Sequence, residues 1–326
     1  MNDQMEIIKS NLQTAWERRR AYVESHQLSA YRLTTQEELE LPLAVDIYSG
    51  SAVLQIYDEY FDQAGIDEVK KALNEDFGIN EFFEKRRYRL KEAPEAGGNL
   101  KEPAVEKVID ENGHKFLVNL NNYLDTGLFL DHRETRGMVQ KMVTEKVAGG
   151  DNDVQVLNLF AYTGSFSVYA AAGGAGMTHT VDLSKTYCEW ARRNLELNGC
   201  LAERNWVYRM DTWEFYRYAA RKGLSFDLII IDPPTFSRNK ESNFSVQRDQ
   251  EKLIDGAASL LRTGGKILFS NNCLNFELEA GLVQRYLIKN IQNETIPMDF
   301  WIDTLHTEWM QSQNQIHNCF ILEKRP

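Results

Sequence analysis

The chain has 326 residues, 43% of them hydrophobic and 26% charged, with 37 basic against 48 acidic side chains. That is the composition of a globular protein of about two domains, and it excludes wholesale disorder and fibrous repeats; the net charge of −11 argues against a protein that coats nucleic acid through bulk electrostatics. No apolar run approaches the ~18 residues needed to cross a bilayer, the first residues lack the basic and apolar regions of a secretory signal, and four scattered cysteines without a Cys-x-x-Cys spacing point to a reducing cytoplasm, with neither metal site nor disulfide framework.

In chain order, residues 4–25 repeat apolar side chains at three- and four-residue spacing (Ile8, Leu12, Ala15, Val23), which predicts a helix. From Leu43 the period becomes two: 44–48 and 52–57 around Ser49-Gly50 predict a hairpin. A short helix is expected over 66–77 with Gly78 as its C-cap, then a strand over 82–90, a Gly/Pro-rich break over 92–103, and a second hairpin, 105–110 and 115–120, around Asn112-Gly113. These divisions predict a helical segment (1–40), a small α+β module (41–125) and a larger domain (126–326). Charge divides too: net −9 over residues 1–125 and −2 beyond.

The larger part reads as α/β. A helix over 131–147 precedes strands at 154–159, 178–181, 206–209, 226–231 and 266–270, with helices at 165 onward, 185–198, 212–222, 246–261 and 278–290 between or after them. Two strands, 300–305 and 318–322, close the chain. Strands alternating with helices predict a doubly wound, mostly parallel sheet covered on both faces.

Such sheets bind ligands beyond the carboxyl ends of their strands. The first end is Asn158-Leu-Phe160-Ala-Tyr-Thr163-Gly164, whose single glycine does not make the phosphate cradle of a dinucleotide fold. The second and third end at Asp182 and Asp211, and the fourth at Asp232-Pro233-Pro234-Thr235-Phe236. Taken alone, Asp182 or Asp211 is equally a helix N-cap and Asp-Pro-Pro a stiff turn. Together they describe a site for a nucleoside without a phosphate tail.

These segments resemble the successive motifs of class I S-adenosylmethionine-dependent methyltransferases, with Phe160 and Tyr162 where glycines usually stand. Tyr123-Leu-Asp-Thr-Gly-Leu-Phe-Leu-Asp-His132-Arg133, Val246-Gln-Arg248-Asp249, Phe269-Ser-Asn-Asn272 and Gln315-Ile-His-Asn-Cys319 narrow the resemblance to the RlmK-type 23S rRNA guanine-N7 methyltransferases, which in many bacteria form the C-terminal half of a fused RlmKL protein. The resemblance implies a Rossmann-like domain with a mostly parallel seven-stranded sheet, S-adenosyl-L-methionine as cofactor and S-adenosylhomocysteine as product. It also implies a cytoplasmic enzyme with no membrane, acting on 23S rRNA or a large-subunit precursor, with a separate guanine-N2 methyltransferase as a further partner. It places Asn158, Phe160, Thr163 and Gly164 beside the methionine part and Arg133 at its carboxylate. Asp182 takes the ribose, Leu183 and Ser184 flank the adenine, Asp211 accepts from its amino group, and Asp232, Pro233, Pro234 and Phe236 hold the acceptor base, with Asp232 also among the cofactor-binding residues.

Guanine N7 carries an in-plane lone pair, so positioning suffices and no nucleophilic side chain is required. Methylation at cytosine C5 instead needs a cysteine to add to the ring. Asn271 stands where the related cytosine enzymes carry that cysteine; Cys273 replaces it only if the strand continues to residue 273. A non-catalytic RNA-binding or assembly factor of the same fold is the other alternative. For RNA, the alternation Lys85, Arg87, Arg89, Lys91 predicts a phosphate track on one strand face, and Arg238, Lys240 and Arg248 follow the base site. Arg18, Arg19 and Arg20 read as a solvated helix face, and His132 and His317 as structural or base-contacting.

Overall fold

The computed structural model describes residues 2–88, 103–200, 202–238, 243–300 and 317–325. They fall into two compact units, one from residues up to 130 together with 297–300, the other from 131–296 and 317–325.

The first unit begins with α1 (Asn2–Ser25), β1 (Ala30–Thr34), α2 (Gln36–Leu39), β2 (Leu43–Tyr48), β3 (Ser51–Ile56), α3 (Gln63–Phe77) and β4 (Glu81–Arg86). The sheet runs β1-β2-β3-β4, antiparallel except for β3 and β4, which α3 connects in parallel. Ser49 and Gly50 both have positive φ (46° and 81°), the conformation of a two-residue hairpin turn that follows strand twist. Gly78 caps α3 in the left-handed region, its N–H reaching Asn74 O at 3.0 Å while Ile79 reaches back to Leu73. Residues 1–40 are not a separate segment: Ile8, Leu12, Leu33 and Leu39 share one core with Val45, Leu54, Ile66 and Val69. Arg19 is buried rather than solvated, paired with Glu38 at 2.7 Å and donating to Asp299 O at 3.0 Å, whereas Arg18 and Arg20 are exposed. The second hairpin, β5 (Glu106–Glu111) and β6 (His114–Asn119), turns at Asn112-Gly113 as its sequence requires.

The second unit comprises α4 (Arg133–Ala148), β7 (Gln155–Leu159), α5 (Ser165–Ala172), β8 (Met177–Asp182), α6 (Lys185–Leu197), β9 (Asn205–Arg209), α7 (Thr212–Lys222) and β10 (Phe226–Ile231). It continues with β11 (Phe236–Arg238), β12 (Asn243–Ser245), α8 (Val246–Ala258), β13 (Leu261–Asn271), α9 (Ala280–Arg285), β14 (Tyr286–Asn290) and β15 (Asn318–Lys324). Seven strands form one sheet, β14-β15-β13-β10-β7-β8-β9, with β15 antiparallel to both neighbours and the other contacts parallel. Every residue of β10 is buried, as expected of a central parallel strand covered on both faces. Its one charge, Asp227, lies between Lys146 (2.7 Å) and Arg262 (2.9 Å).

Two further expectations change. The helix expected over 278–290 stops at Arg285, and Tyr286–Asn290 is an edge strand. The apolar positions Leu282 and Tyr286 fit helical spacing, but pairing with β15 decides the conformation. Of the strand expected over 300–305, Phe300 lies in a short 3₁₀ turn, Met298–Phe300, and residues 301–305 are outside the described residues.

Candidate cofactor and acceptor site

The register of the sheet brings the strand ends to one level. Leu159 pairs with Val181 and with Ile231, Ile231 with Phe269, and Asp182 with Arg209. Phe160, Asp182, Arg209, Asp232 and Ser270 therefore stand along one rim, with Asp211 two residues further on. Strand order reverses between β7 and β10, where a doubly wound sheet opens its crevice.

The loop after β7 has an unusual backbone. Phe160, Tyr162 and Gly164 all have positive φ (53°, 51° and 76°), so the alternation a glycine-rich turn would adopt is kept while two large side chains occupy it. For a non-glycine residue this costs about 1–2 kcal/mol, and the rings are held in compensation. Phe160 packs on Phe244 at 5.7 Å and Tyr162 lies edge-on to Tyr187 at 4.6 Å. Gly164 opens α5 without a side-chain cap, leaving the first N–H groups of that helix for an anion. Asn158 is buried and donates to Ser167 Oγ at 3.1 Å; the carbonyl of Thr163 accepts from Asn194 at 2.9 Å.

Asp182 accepts the N–H of Tyr162 at 2.9 Å and that of Ser184 at 2.8 Å. A carboxylate offers about four acceptor positions, so both oxygens retain capacity for hydroxyl donors. Burial raises its pKa above the ordinary value, against the lowering by these backbone donors. Leu183 is exposed beside it, an apolar surface suited to a ring. Ser184 caps α6 by accepting from Tyr187 N–H at 3.3 Å. Asp211 is the N-cap of α7, one oxygen accepting from Trp213 N–H at 2.9 Å. Uncapped helix N–H groups, a carboxylate with spare acceptors and an apolar platform fit a cofactor with a carboxylate, a ribose and an adenine. Arg133 is fully buried at the start of α4, as is Arg136, which lies over the Tyr169 ring at 5.9 Å.

On the acceptor side, Pro233 is buried, Pro234 exposed, and Phe236 is 71% exposed at the start of β11. Thr235 Oγ1 donates to Asn272 Oδ1 at 2.9 Å, tying this loop to the end of β13. Asn271 is buried, with its Oδ1 accepting from Cys273 N–H (3.0 Å) and Asn318 Nδ2 (3.1 Å). β13 ends at Asn271, so Cys273 does not continue the strand and the condition for it to replace a nucleophile at 271 is not met.

One grouping was beyond sequence reasoning. His132 Nε2 faces Asp232 Oδ2 at 3.5 Å, His317 stacks on His132, and Asp131 lies 3.7 Å from His317 Nδ1. Burial opposes ionisation of Asp131, but the two imidazoles and the Arg136 guanidinium hold its carboxyl well below the usual range.

The expected phosphate track is corrected. Lys85 points inward, is buried, and donates to the carbonyl of Tyr123. Burial lowers its pKa to about 8, assisted by the nearby Arg87. Arg87 is engaged by Gln55 (2.8 Å) and Asp125 (2.6 Å), and β4 ends before it. Arg89, Lys91 and Lys240 lie outside the described residues, and of Arg238 only the backbone is described. Arg248 is exposed and paired with Asp249 at 2.6 Å. Among the described residues no helix is long and apolar enough to cross a membrane.

Comparison with known proteins agrees with this geometry. The profile of a family described as S-adenosylmethionine-dependent methyltransferase matches residues 78–306. The chain is 42% identical over 294 residues to ribosomal RNA large subunit methyltransferase K of Neisseria meningitidis, covering 86% of this chain and 80% of that one. It is 38% identical to the K/L enzyme of Dichelobacter nodosus, covering 92% of this chain but only 41% of that longer protein. A crystal structure of SMU.776, described as a methyltransferase complexed with SAH, superposes with a TM-score of 0.80 at 29% identity, covering 98% of this chain and 81% of the other.

Proposed function

Because this chain belongs to the S-adenosylmethionine-dependent methyltransferase family, we propose that it methylates N7 of a guanine in the 23S rRNA of the cytoplasmic large ribosomal subunit or its precursor. The observation that carries the reading is the row of strand ends, on which Asp182 closes β8, Asp232 follows β10 with β7 between the two, and Asp211 lies two residues beyond the end of β9, in a sheet reversing at β7 and β10. Relatives named ribosomal RNA large subunit methyltransferases support the substrate class.

In this reading the uncapped start of α5, beginning at Gly164, takes the methionine carboxylate with Arg133 nearby. Asp182 accepts the ribose hydroxyls, Leu183 and Ser184 flank the adenine, and Asp211 accepts from its amino group through the oxygen not used in capping. Asn158, Phe160 and Thr163 shape the methionine side. The bound cofactor supplies a methyl group activated on a sulfonium. The protein's own work is then positional. Phe236 presents an exposed face on which an unstacked base lies, Pro233 and Pro234 stiffen the loop that carries it, and Asp232 supplies a fixed anion beside the base. N7 has no proton to lose, so no general base is needed. Arg248 and Arg238, next to this loop, are proposed phosphate contacts.

The test is to incubate the protein with S-adenosylmethionine and 23S rRNA lacking the modification, digest to nucleosides, and identify the product by mass spectrometry. New 7-methylguanosine is the expected result. New 5-methylcytidine overturns the reading. Product formed only on precursor particles assigns the substrate to an assembly stage.

A further inference from the structure

Two imidazoles face each other beside Asp232. His132 and His317 are buried and stacked, with ring centroids 4.6 Å apart and planes 12° from parallel. His317 is fixed through Nε2, which lies 2.9 Å from Thr295 Oγ1. His132 is met edge-on by Phe166, centroids 5.7 Å apart and planes at 63°. A ring packed between two aromatic neighbours keeps one orientation, and here that orientation aims Nε2 at Asp232 Oδ2, 3.5 Å away.

This arrangement does not suit a shared metal ion. Asp131, His132 and His317 bring one donor atom each within 4.8 Å. An imidazole, however, binds a metal in its ring plane along the nitrogen lone pair. Two stacked planes 12° from parallel do not converge on one point. The stack suits neutral rings, and burial does hold His132 below the ordinary histidine range, against the opposing pull of Asp232 and Asp131. A neutral ring carries one N–H, and a carboxylate beside Nε2 selects the Nε2–H tautomer. Nδ1 of His132 is buried without a hydrogen-bond partner among the described residues. It is therefore the unprotonated nitrogen, since an orphaned lone pair is better tolerated than an orphaned N–H.

We propose that His132 is a positioning residue for methyl transfer: its Nε2–H donates to Asp232 Oδ2 and fixes the other carboxylate oxygen toward the acceptor base. The inference rests on the assignment of Asp232 to the base side of the site. Hydrogen bonds of this kind are long before substrate binds and tighten in the complex, which accounts for the 3.5 Å separation. Methylation at N7 leaves positive charge on the purine, so an anion already held in place favours the state in which that charge develops. A neutral donor orients the carboxylate without cancelling its charge, as a lysine or arginine in the same place would.

The test uses the full chain with His132→Gln and His132→Phe, each alone and combined with Asp232→Asn. Measurements are kcat, KM for rRNA, S-adenosylhomocysteine affinity by calorimetry, and thermal melting. Phenylalanine keeps the stack but has no donor; glutamine restores a donor. Expected is a fall in kcat of about 10²-fold for His132→Phe, with KM and S-adenosylhomocysteine affinity held, substantial rescue by His132→Gln, and no further loss when His132→Phe is added to Asp232→Asn. Wild-type activity in His132→Phe, equal loss in the glutamine and phenylalanine variants, additive losses with Asp232→Asn, or parallel loss of S-adenosylhomocysteine binding each overturn the proposal. Nitrogen-15 shifts of the His132 ring give a readout independent of activity: a proton on Nε2 is expected, and a proton on Nδ1 overturns the proposal. Failure of the N7 reading is distinguishable, because it appears as a different product from the wild-type protein, on which the same comparisons are then read.

Discussion

Gly164 lies directly against Ala191: a Cβ placed on the glycine would stand 2.8 Å from the alanine Cβ. The contact brings the start of α5 against α6, and the φ of +76° adds a backbone reason for glycine. Gly164→Ala is therefore expected to destabilise the protein by about 2–4 kcal/mol, combining left-handed strain with overpacking. It should also weaken S-adenosylhomocysteine binding, since the helix end must shift. Thermal denaturation and calorimetry check this; an unchanged melting temperature contradicts it.

With the ribose placed on Asp182 as proposed, cofactor affinity should depend on pH. Its pKa is raised in the free protein by burial, so its contribution to stability is fully present below the unfolded value and declines as pH rises through the folded one. Ribose hydroxyls donating to the ionised carboxylate reverse the shift. Binding then releases a proton in the window just above the ordinary aspartate range, and affinity falls on acidification through it. Asp182→Asn should weaken binding by about tenfold to a hundredfold, the loss of a hydrogen bond to a charged group, and remove this pH dependence. Calorimetry in buffers of different ionisation enthalpy measures the proton released.

Lys85 carries a different prediction from the one its sequence setting invites. Its pKa falls to about 8 through burial, below that of the unfolded chain at ~10.4. Between those values the unfolded state holds more protons, so stability rises with pH across that window, by at most about 3 kcal/mol. Lys85→Met should abolish that rise in denaturant melts while leaving rRNA affinity unchanged. A loss of rRNA affinity without change in the pH profile would restore the phosphate-track reading.

Cys273→Ser should retain activity. The thiol follows the end of β13 rather than extending it, and the position after Ser270 is an asparagine whose amide is held by Asn318. A dead serine variant with an intact melting curve would move the mechanism to a covalent one.

The central strands were legible because a parallel sheet buried on both faces demands continuous apolar runs such as Phe226–Ile231. The rim was legible because polar residues must resume where those runs stop, at Asp182, Asp211 and Asp232. Other features depended on packing that sequence spacing does not encode. Lys85 alternates as a surface residue would, yet its face is met by the Tyr123–Asp125 segment from far along the chain, while α3 meets Glu84 and Arg86 on the other face. Tyr286 sits at helical spacing from Leu282 but pairs with Lys324. His132 and His317 meet only because one precedes α4 and the other precedes β15, a juxtaposition no local pattern records. Asp211 combines both cases: its place at a strand end was readable, and its capping role is equally what its side chain does.

The insertion of β15 between β13 and β14 imposes an order of assembly. Among the described residues β14 is hydrogen-bonded within the seven-stranded sheet to β15 alone, which follows it in the chain. During vectorial synthesis β14 therefore emerges before this partner, and β15 then threads between two strands made before it. His317 arrives on the same segment, immediately before Asn318. Completion of the sheet and completion of the histidine stack are thus a single late event, and a nascent chain stopped short of that strand carries the row of strand ends from Asp182 to Asp232 without the ring that stacks on His132.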